Sequence, residues 1–212
     1  MSDSDTLLVF WGEKGPDRED HNWVAALSRN NVNSKWRETQ RVQTEGKGGI
    51  SCALSDSRVR IGDWGTTYME LFRVESGPRI VRVHRIHVPE AFQWISATCG
   101  SDTLVAMSYH YDKSVRVHRL RGDRLEELAH IQLKQPYRFQ WLADRILVAD
   151  YVEQTNSDAV IELEVSDTRL ERRRELIATS EEKIGVRSLC AVNDGVAIFD
   201  EKSKVILYYS FA

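Results

Sequence analysis

Short segments rich in apolar and β-branched residues recur along the chain, and their starts lie about 45 residues apart. One series of these segments covers residues 68–74, 114–120, 159–165 and 205–209. Each segment is bounded by polar or small residues and has the length of a strand rather than of a helix. The pattern predicts β-strands that occur once in each of several repeated units.

A second series of predicted strands follows an aspartate at a turn. The aspartates are Asp5, Asp56, Asp102, Asp144 and Asp194, and the apolar segments behind them cover residues 6–10, 58–61, 103–107, 145–149 and 196–199. Aspartate favours tight turns because its carboxylate accepts hydrogen bonds from nearby backbone N–H groups. Recurrence of this turn predicts five repeated units.

Two further strands complete each unit. A short apolar strand ends just before the turn, at the repeated position occupied by Cys52, Cys99, Trp141 and Cys190, where we expect buried side chains. A more polar strand, rich in Arg and Glu, closes the unit at residues 35–44, 79–88, 124–133 and 169–178. Residues 169–180 also fit a short helix, but the repeat context favours a strand.

Four strands per repeat, more polar from first to last, predict an all-β fold of the β-propeller type with four-stranded blades. We expect about five blades, with four as the alternative, in a single domain over residues 1–212. The approximate blades are residues 1–45, 46–90, 91–135, 136–180 and 181–212. Phe92-Gln93-Trp94 and Phe139-Gln140-Trp141 suggest a competing alignment of the repeats, but the aspartate turns align more units and are preferred.

Residues 95–117 and 188–207 resemble WD40-type repeats. The first of these segments contains a small-residue turn at Asp102, a Leu-Val-Ala-x-Ser strand, a second turn at Asp112 and a Val-Arg-Val strand. The chain lacks the Gly-His dipeptide of those repeats, and it has His118-Arg119 where they have Trp-Asp. The resemblance implies a WD-repeat propeller that acts as a scaffold for protein–protein interaction.

The last predicted strand, at residues 205–209, is too apolar to be left as an open sheet edge. We expect residues 6–11 to pair beside it and close the ring. A larger ring and a partner that covers the edge are the alternatives.

Composition narrows the class of protein. The chain has 212 residues, a net charge of −3 and three cysteines without metal-ligand spacing. It has no apolar run long enough to span a membrane and an acidic rather than basic start, so we expect no signal peptide and a cytoplasmic protein. Disulfide-scaffold, collagen-like and disordered classes are excluded, and the slight net negative charge with interleaved Glu disfavours nucleic acid as a partner.

Aromatic residues stand beside carboxylates in the predicted loops between second and third strands. We predict that these loops form an acidic, aromatic rim that binds a protein or a basic peptide by charge complementarity and cation–π contact. The candidate partner-binding residues are Trp11, Glu13, Asp63, Trp64, Tyr109, Tyr111, Asp112, Tyr151, Glu153 and Asp200.

Sequence motifs of catalysis are missing: no P-loop, GxGxxG, HExxH or GxSxG pattern occurs. We therefore predict a non-enzymatic interaction platform with no cofactor and no metal. One alternative is a carbohydrate-binding propeller lectin that uses the aromatic residues of the rim. A second is a carboxylate-dependent hydrolase built on Asp63, Asp112 and Asp200. A third is one part of a larger propeller or complex that a partner strand completes.

Overall fold

The structure is a computed structural model. It describes residues 5–14, 20–30, 32–44, 49–53, 58–63, 67–75, 79–88, 90–99, 103–109, 111–142, 144–166, 168–177, 184–192 and 195–211. These residues form antiparallel β-sheets, and no helix among them is long and apolar enough to cross a membrane.

Eighteen strands are formed by the described residues. Their bounds are β1 Asp5–Lys14, β2 Asp20–Arg29, β3 Arg37–Thr44, β4 Gly49–Ala53, β5 Arg58–Asp63, β6 Tyr68–Glu75, β7 Arg79–His87, β8 Trp94–Cys99, β9 Thr103–Tyr109, β10 Ser114–Arg121, β11 Arg124–Gln132, β12 Pro136–Leu142, β13 Arg145–Val152, β14 Ser157–Val165, β15 Leu170–Ile177, β16 Val186–Val192, β17 Gly195–Asp200 and β18 Val205–Ser210. Consecutive strands pair in order, so each sheet is a meander of one continuous stretch of chain.

The chain divides into two compact units, Met1–Ala91 and Phe92–Ala212. The first unit contains the sheets β1-β2-β3 and β4-β5-β6-β7. Val24 and Ala26 of one sheet pack with Phe72 and Ile80 of the other in a buried core. The Gln40 side chain also joins the two sheets, because its Nε2 donates to the Ile80 carbonyl at 2.9 Å and its Oε1 accepts from the Ile80 N–H at 2.5 Å.

The second unit contains the sheets β8-β9-β10-β11, β12-β13-β14-β15 and β16-β17-β18. Strand β12 lies next to both β8 and β16, so the first strands of the three sheets are neighbours. Two apolar clusters fill the space between the sheets. One is built around Ile146, Val148 and Leu163, and the other around Leu147 and Ile198, all of which have 1% or less of their surface exposed.

The strands predicted from the repeated apolar segments and from the aspartate turns are confirmed. Within residues 169–180, for which a helix was the alternative, the described residues Leu170–Ile177 form strand β15, which pairs with β14 from Val165↔Leu170 to Val160↔Ile177. The preferred alignment of the repeats is also correct. Trp94 pairs with Ser108 and Pro136 with Asp150, at the same interval that separates Asp102 from Asp144.

The prediction of a buried repeated cysteine position is wrong for Cys190. This residue is exposed, because in β16 only Val186 is buried and the other residues are partly or fully exposed. Trp141 at the matching position of β12 is buried, with 6% of its surface exposed. The side chains of Cys52 and Cys99 lie outside the part of the chain that the structure describes.

The sheets formed by the described residues have either three or four strands, so uniform four-stranded blades and a blade count are not confirmed. Residues 6–11 lie in β1, which pairs with β2, and the apolar strand β18 pairs with β17. Val205, Ile206 and Tyr208 of β18 are exposed. The expected closure of the ring stays a prediction.

A candidate ligand cleft in the second unit

We call the residues at or just before the start of the first strand of a sheet the entrance of that strand. In the three sheets of the second unit, the same kind of hydrogen bond holds these entrances in place. A polar side chain near the end of the second strand accepts a backbone N–H at the entrance of the first strand, as buried backbone groups require. The pairs are Ser108 Oγ with Trp94 N at 3.2 Å, Asp150 Oδ1 with Gln135 N at 2.6 Å, and Asp200 Oδ1 with Gly185 N at 2.8 Å.

Asp158 near the start of β14 joins its sheet to the next one. Its Oδ2 accepts the Val186 N–H at 2.5 Å, and the Tyr137 hydroxyl lies 2.5 Å from the same oxygen and 2.9 Å from the Val186 carbonyl. Burial raises the pKa of the Asp158 carboxyl, and these hydrogen bonds only partly oppose the shift. Burial and the neighbouring carboxylate together raise the pKa of the Tyr137 hydroxyl. The Asp158 carboxyl, in a residue with 4% of its surface exposed, thus links two neighbouring sheets of this unit.

An open cleft of about 370 Å³ lies at these entrances. It is lined by Gln93, Trp94, Gln135, Tyr137, Arg138, Tyr151, Asn156, Asp158, Gly185, Val186, Arg187, Glu201 and Lys202. The pairing of β12 shifts between Pro136 and Arg138, and that of β16 shifts between Val186 and Ser188. Such β-bulges re-aim side chains near binding sites, here those of Tyr137 and Arg187.

Arg138 is the most unusual charge in the cleft. Its guanidinium carbon lies 3.6 Å from the centre of the Trp94 ring, a stacked cation–π contact. Its Nε is buried and has no hydrogen-bond partner, and within the described residues no carboxylate lies within ion-pair distance of its side chain. Burial lowers the pKa of the guanidinium. The carboxylates of Glu201 and Asp158 attract this cation from a distance, but no carboxylate of the described residues forms an ion pair with it.

The other cations in the cleft have protein partners. Arg187 Nη1 lies 3.8 Å from Glu201 Oε2, and Lys202 Nζ donates to the Asn156 carbonyl. Gly185 leaves room for the lysine side chain, because a Cβ at this position would lie 3.2 Å from Lys202 Cγ. Arg138 is thus the cation with the greatest capacity to accept an additional anion.

Few of the predicted partner-binding residues meet in this cleft. Tyr151 lines it and donates to Asn156 Oδ1 at 3.1 Å, while Glu153 is exposed in the adjacent turn. Asp200 lies behind the cleft with only 3% of its surface exposed. Its oxygens accept the backbone N–H groups of Gly185, Lys202 and Ser203, so its carboxylate holds the backbone together.

Residues 109–112 carry three of the predicted residues in a different role. Tyr109 is buried, with 1% of its surface exposed, and the Arg116 guanidinium lies 4.2 Å from its ring centre. Asp112 accepts the Ser114 N–H at 3.0 Å and forms an ion pair with Arg116. Tyr111 is exposed over 87% of its surface. In this part of the predicted rim, Tyr111 is therefore the aromatic side chain that solvent reaches.

For the predicted partner-binding residues of the first unit, the structure describes at most the backbone. Trp11 and Glu13 lie within strand β1, opposite Trp23 and His21, and not in the loop that the sequence predicts. The run of residues 5–14 continues as a strand because β2 pairs with it over its whole length. Asp63 ends β5, but the side chains of Trp11, Glu13 and Asp63, and the whole of Trp64, lie outside the described residues.

Sequence reasoning missed most of the cleft, namely Gln93, Gln135, Arg138 and Asp158. One signal was present. Gln93 and Gln135 are separated by the same interval as the turn aspartates Asp102 and Asp144, and each immediately precedes the first strand of its sheet. In a fold of stacked repeats, residues at one repeated position lie on the same side of their sheets. Side chains at such positions can therefore share one site.

Comparison with protein-family models finds no match, and comparison with curated protein sequences finds none either. Solved structures do match. A protein from Lactobacillus plantarum matches over 98% of this chain and 66% of its own, with a TM-score of 0.68 and 12% identity. A proposed 6-phosphogluconolactonase from Bacteroides fragilis matches over 96% of this chain and 79% of its own, with a TM-score of 0.56 and 8% identity.

Virginiamycin B lyase from Staphylococcus aureus matches over 88% of this chain and 61% of its own, with a TM-score of 0.51 and 13% identity. These neighbours are β-propeller-like, and the likeness shows a fold of that class for this chain. The chain spans 66% of the length of the Lactobacillus protein. Membership among WD40-type repeats is not confirmed.

The prediction that this chain is not an enzyme is overturned by the same comparison. Solved structures of this fold include virginiamycin B lyase and a proposed lactonase, so the lack of familiar catalytic motifs does not exclude catalysis on such a scaffold. At identities of 8% and 13% the likeness shows the fold alone. It carries neither reaction over to this chain.

Proposed function

We propose that this propeller binds a small ligand with an anionic group, a carboxylate or a phosphate, in the cleft of the second unit. The observation that carries the proposal is the stacked and half-buried Arg138 guanidinium, which forms no ion pair with a carboxylate of the described residues. A guanidinium offers its donors in a planar fork that matches both anions. Removal from water strengthens the attraction between the two charges.

The neighbouring groups favour an anion over a cation. Glu201 is paired with Arg187, and Asp158 already accepts two hydrogen bonds. Lys202 adds a further positive charge to the lining. An incoming anion would therefore meet Arg138 and Lys202, whereas an incoming cation would be repelled by both. This charge is opposite to that of the acidic rim expected from the sequence.

A binding role for that rim stays a prediction, as do a protein partner and a cytoplasmic location. Asp200 and Asp112 already use their carboxylates for backbone and Arg116 contacts. Those contacts leave less capacity for a basic peptide than the sequence pattern alone indicates.

To test the proposal, the purified protein is titrated with citrate and with inorganic phosphate at constant ionic strength. Binding is measured by calorimetry and by the shift in thermal unfolding. We expect Arg138→Gln to weaken binding about 10- to 100-fold, as loss of a charge-assisted bidentate contact does. Arg124→Gln, an exposed position in β11, is the matched control and should bind like the parent. Equal binding by the Arg138 variant, or no binding by the parent, would reject the proposal.

A further inference from the structure

The cleft contains two side-chain amides with unused hydrogen-bonding capacity. Gln93 and Gln135 are half-buried, line the cleft and stand one residue before β8 and β12. Their backbone groups are engaged, since Gln93 N donates to the Ser108 carbonyl and Gln135 N donates to Asp150. Within the described residues neither side-chain amide has a hydrogen-bond partner.

A third acceptor lines the same cleft. Asp158 uses Oδ2 for Tyr137 and Val186, and its Oδ1 accepts no hydrogen bond from the described residues. Each glutamine amide also presents one carbonyl oxygen and two N–H donors. A simple carboxylate or a phosphate monoester dianion has no proton to donate, so it cannot satisfy these three oxygens. Burying them unpaired would cost affinity.

Hydroxyl groups can satisfy these three oxygens, because each hydroxyl can both donate and accept hydrogen bonds. An ammonium group could also donate to these oxygens. It would, however, lie among Arg138, Arg187 and Lys202, and like charges in a partly desolvated cleft repel. The lining therefore favours hydroxyl donors over a cationic donor.

We propose that the ligand is a hydroxylated organic acid, whose anionic group contacts Arg138 and whose hydroxyls are bound by Gln93, Gln135 and Asp158. This inference rests on the proposed function, because Arg138 supplies the anion contact. The equivalent third entrance has Gly185, whose missing side chain leaves room for Lys202. Two repeats thus supply the amides, and the third supplies a cation.

Three six-carbon probes separate the two requirements: gluconate carries the acid and hydroxyls, hexanoate the acid alone, and sorbitol the hydroxyls alone. Calorimetry on the intact chain should show gluconate binding at least about tenfold more tightly than hexanoate, as expected when buried polar groups find their partners. Sorbitol should bind most weakly. Glycerol phosphate against propyl phosphate repeats the comparison for a phosphate anion and shows which acid the site prefers.

The double variant Gln93→Met and Gln135→Met should lower gluconate affinity to that of hexanoate and leave hexanoate unchanged. Each single variant should give part of the loss, and Gln132→Met, exposed at the end of β11, is the control. Thermal unfolding verifies that every variant is folded. Equal affinity for gluconate and hexanoate, unaffected by the glutamine variants, overturns this inference and leaves anion binding intact. Binding of no acid overturns both proposals.

Discussion

Arginine and carboxylate side chains gather at two places in the second unit, the cleft and the face of β14 and β15 around Glu162. On that face Glu162 has no exposed surface, and it accepts hydrogen bonds from Arg145 at 2.9 Å and Arg174 at 2.6 Å. In the cleft, Arg138 stacks on Trp94 without a carboxylate partner among the described residues. The two places use the same residue types for different purposes.

Pairing is the difference between them. Burial alone would raise the pKa of Glu162, but the hydrogen bonds and charges of Arg145 and Arg174 outweigh it and hold the pKa below its ordinary value. The surface arginines of β15 are paired as well, Arg172 with Glu175 and Arg173 with Glu164. The three consecutive arginines at residues 172–174 are thus committed to intramolecular ion pairs. A cation left unpaired in a cleft is the better indicator of a ligand.

The largest expected effect comes from Asp200, which supports the cleft from behind. Asp200→Ala leaves the N–H groups of Gly185, Lys202 and Ser203 without their acceptor, and we expect a loss of about 2–4 kcal/mol in the free energy of unfolding. Urea unfolding measures it. Glu153→Ala, exposed in the β13–β14 turn, should change stability by less than about 0.5 kcal/mol. An Asp200 variant as stable as the parent would contradict the role of this carboxylate in holding the backbone.

The paired face gives the next effect. Glu162→Gln removes the charge that Arg145 and Arg174 share, and because both arginines are partly exposed we expect a loss of about 1–3 kcal/mol. The stabilisation is complete above the ordinary pKa of 4.5 and is lost as the pH falls through the lowered pKa. Unfolding at pH 3 and pH 7 measures both effects. Ligand binding should be unchanged, which distinguishes Glu162 from Arg138.

The smallest effect concerns Asp158. Because the folded protein raises its pKa, the acid form stabilises the fold below the ordinary pKa of 3.8, and this contribution is lost as the pH rises through the raised value. The side chain in Asp158→Asn is uncharged and similar in shape. The free energy of unfolding of this variant, relative to that of the parent, should therefore improve as the pH rises from 4 to 7. Parallel pH profiles for the two proteins would mean that the Asp158 carboxyl is not desolvated.

The strands of this protein are determined locally. Apolar runs such as residues 145–149 and the turn at Asp144 encode a strand and its reversal within a few residues, and the repeat sets their order. The same local logic misplaced Trp11 and Glu13 in a loop. Pairing with β2 extends β1 through them, and strand length depends on the partner as much as on the segment.

The sequence by itself therefore determined the all-β class, the repeat and the alignment of the units, since these follow from residue spacing. Only the tertiary structure decided which polar residues build the framework and which line a cleft. Asp200 looks like a binding carboxylate until its three backbone donors are seen, and Arg138 resembles any other strand arginine until Trp94 covers it. The partners that decide these roles come from other strands and sheets, so no local pattern contains them.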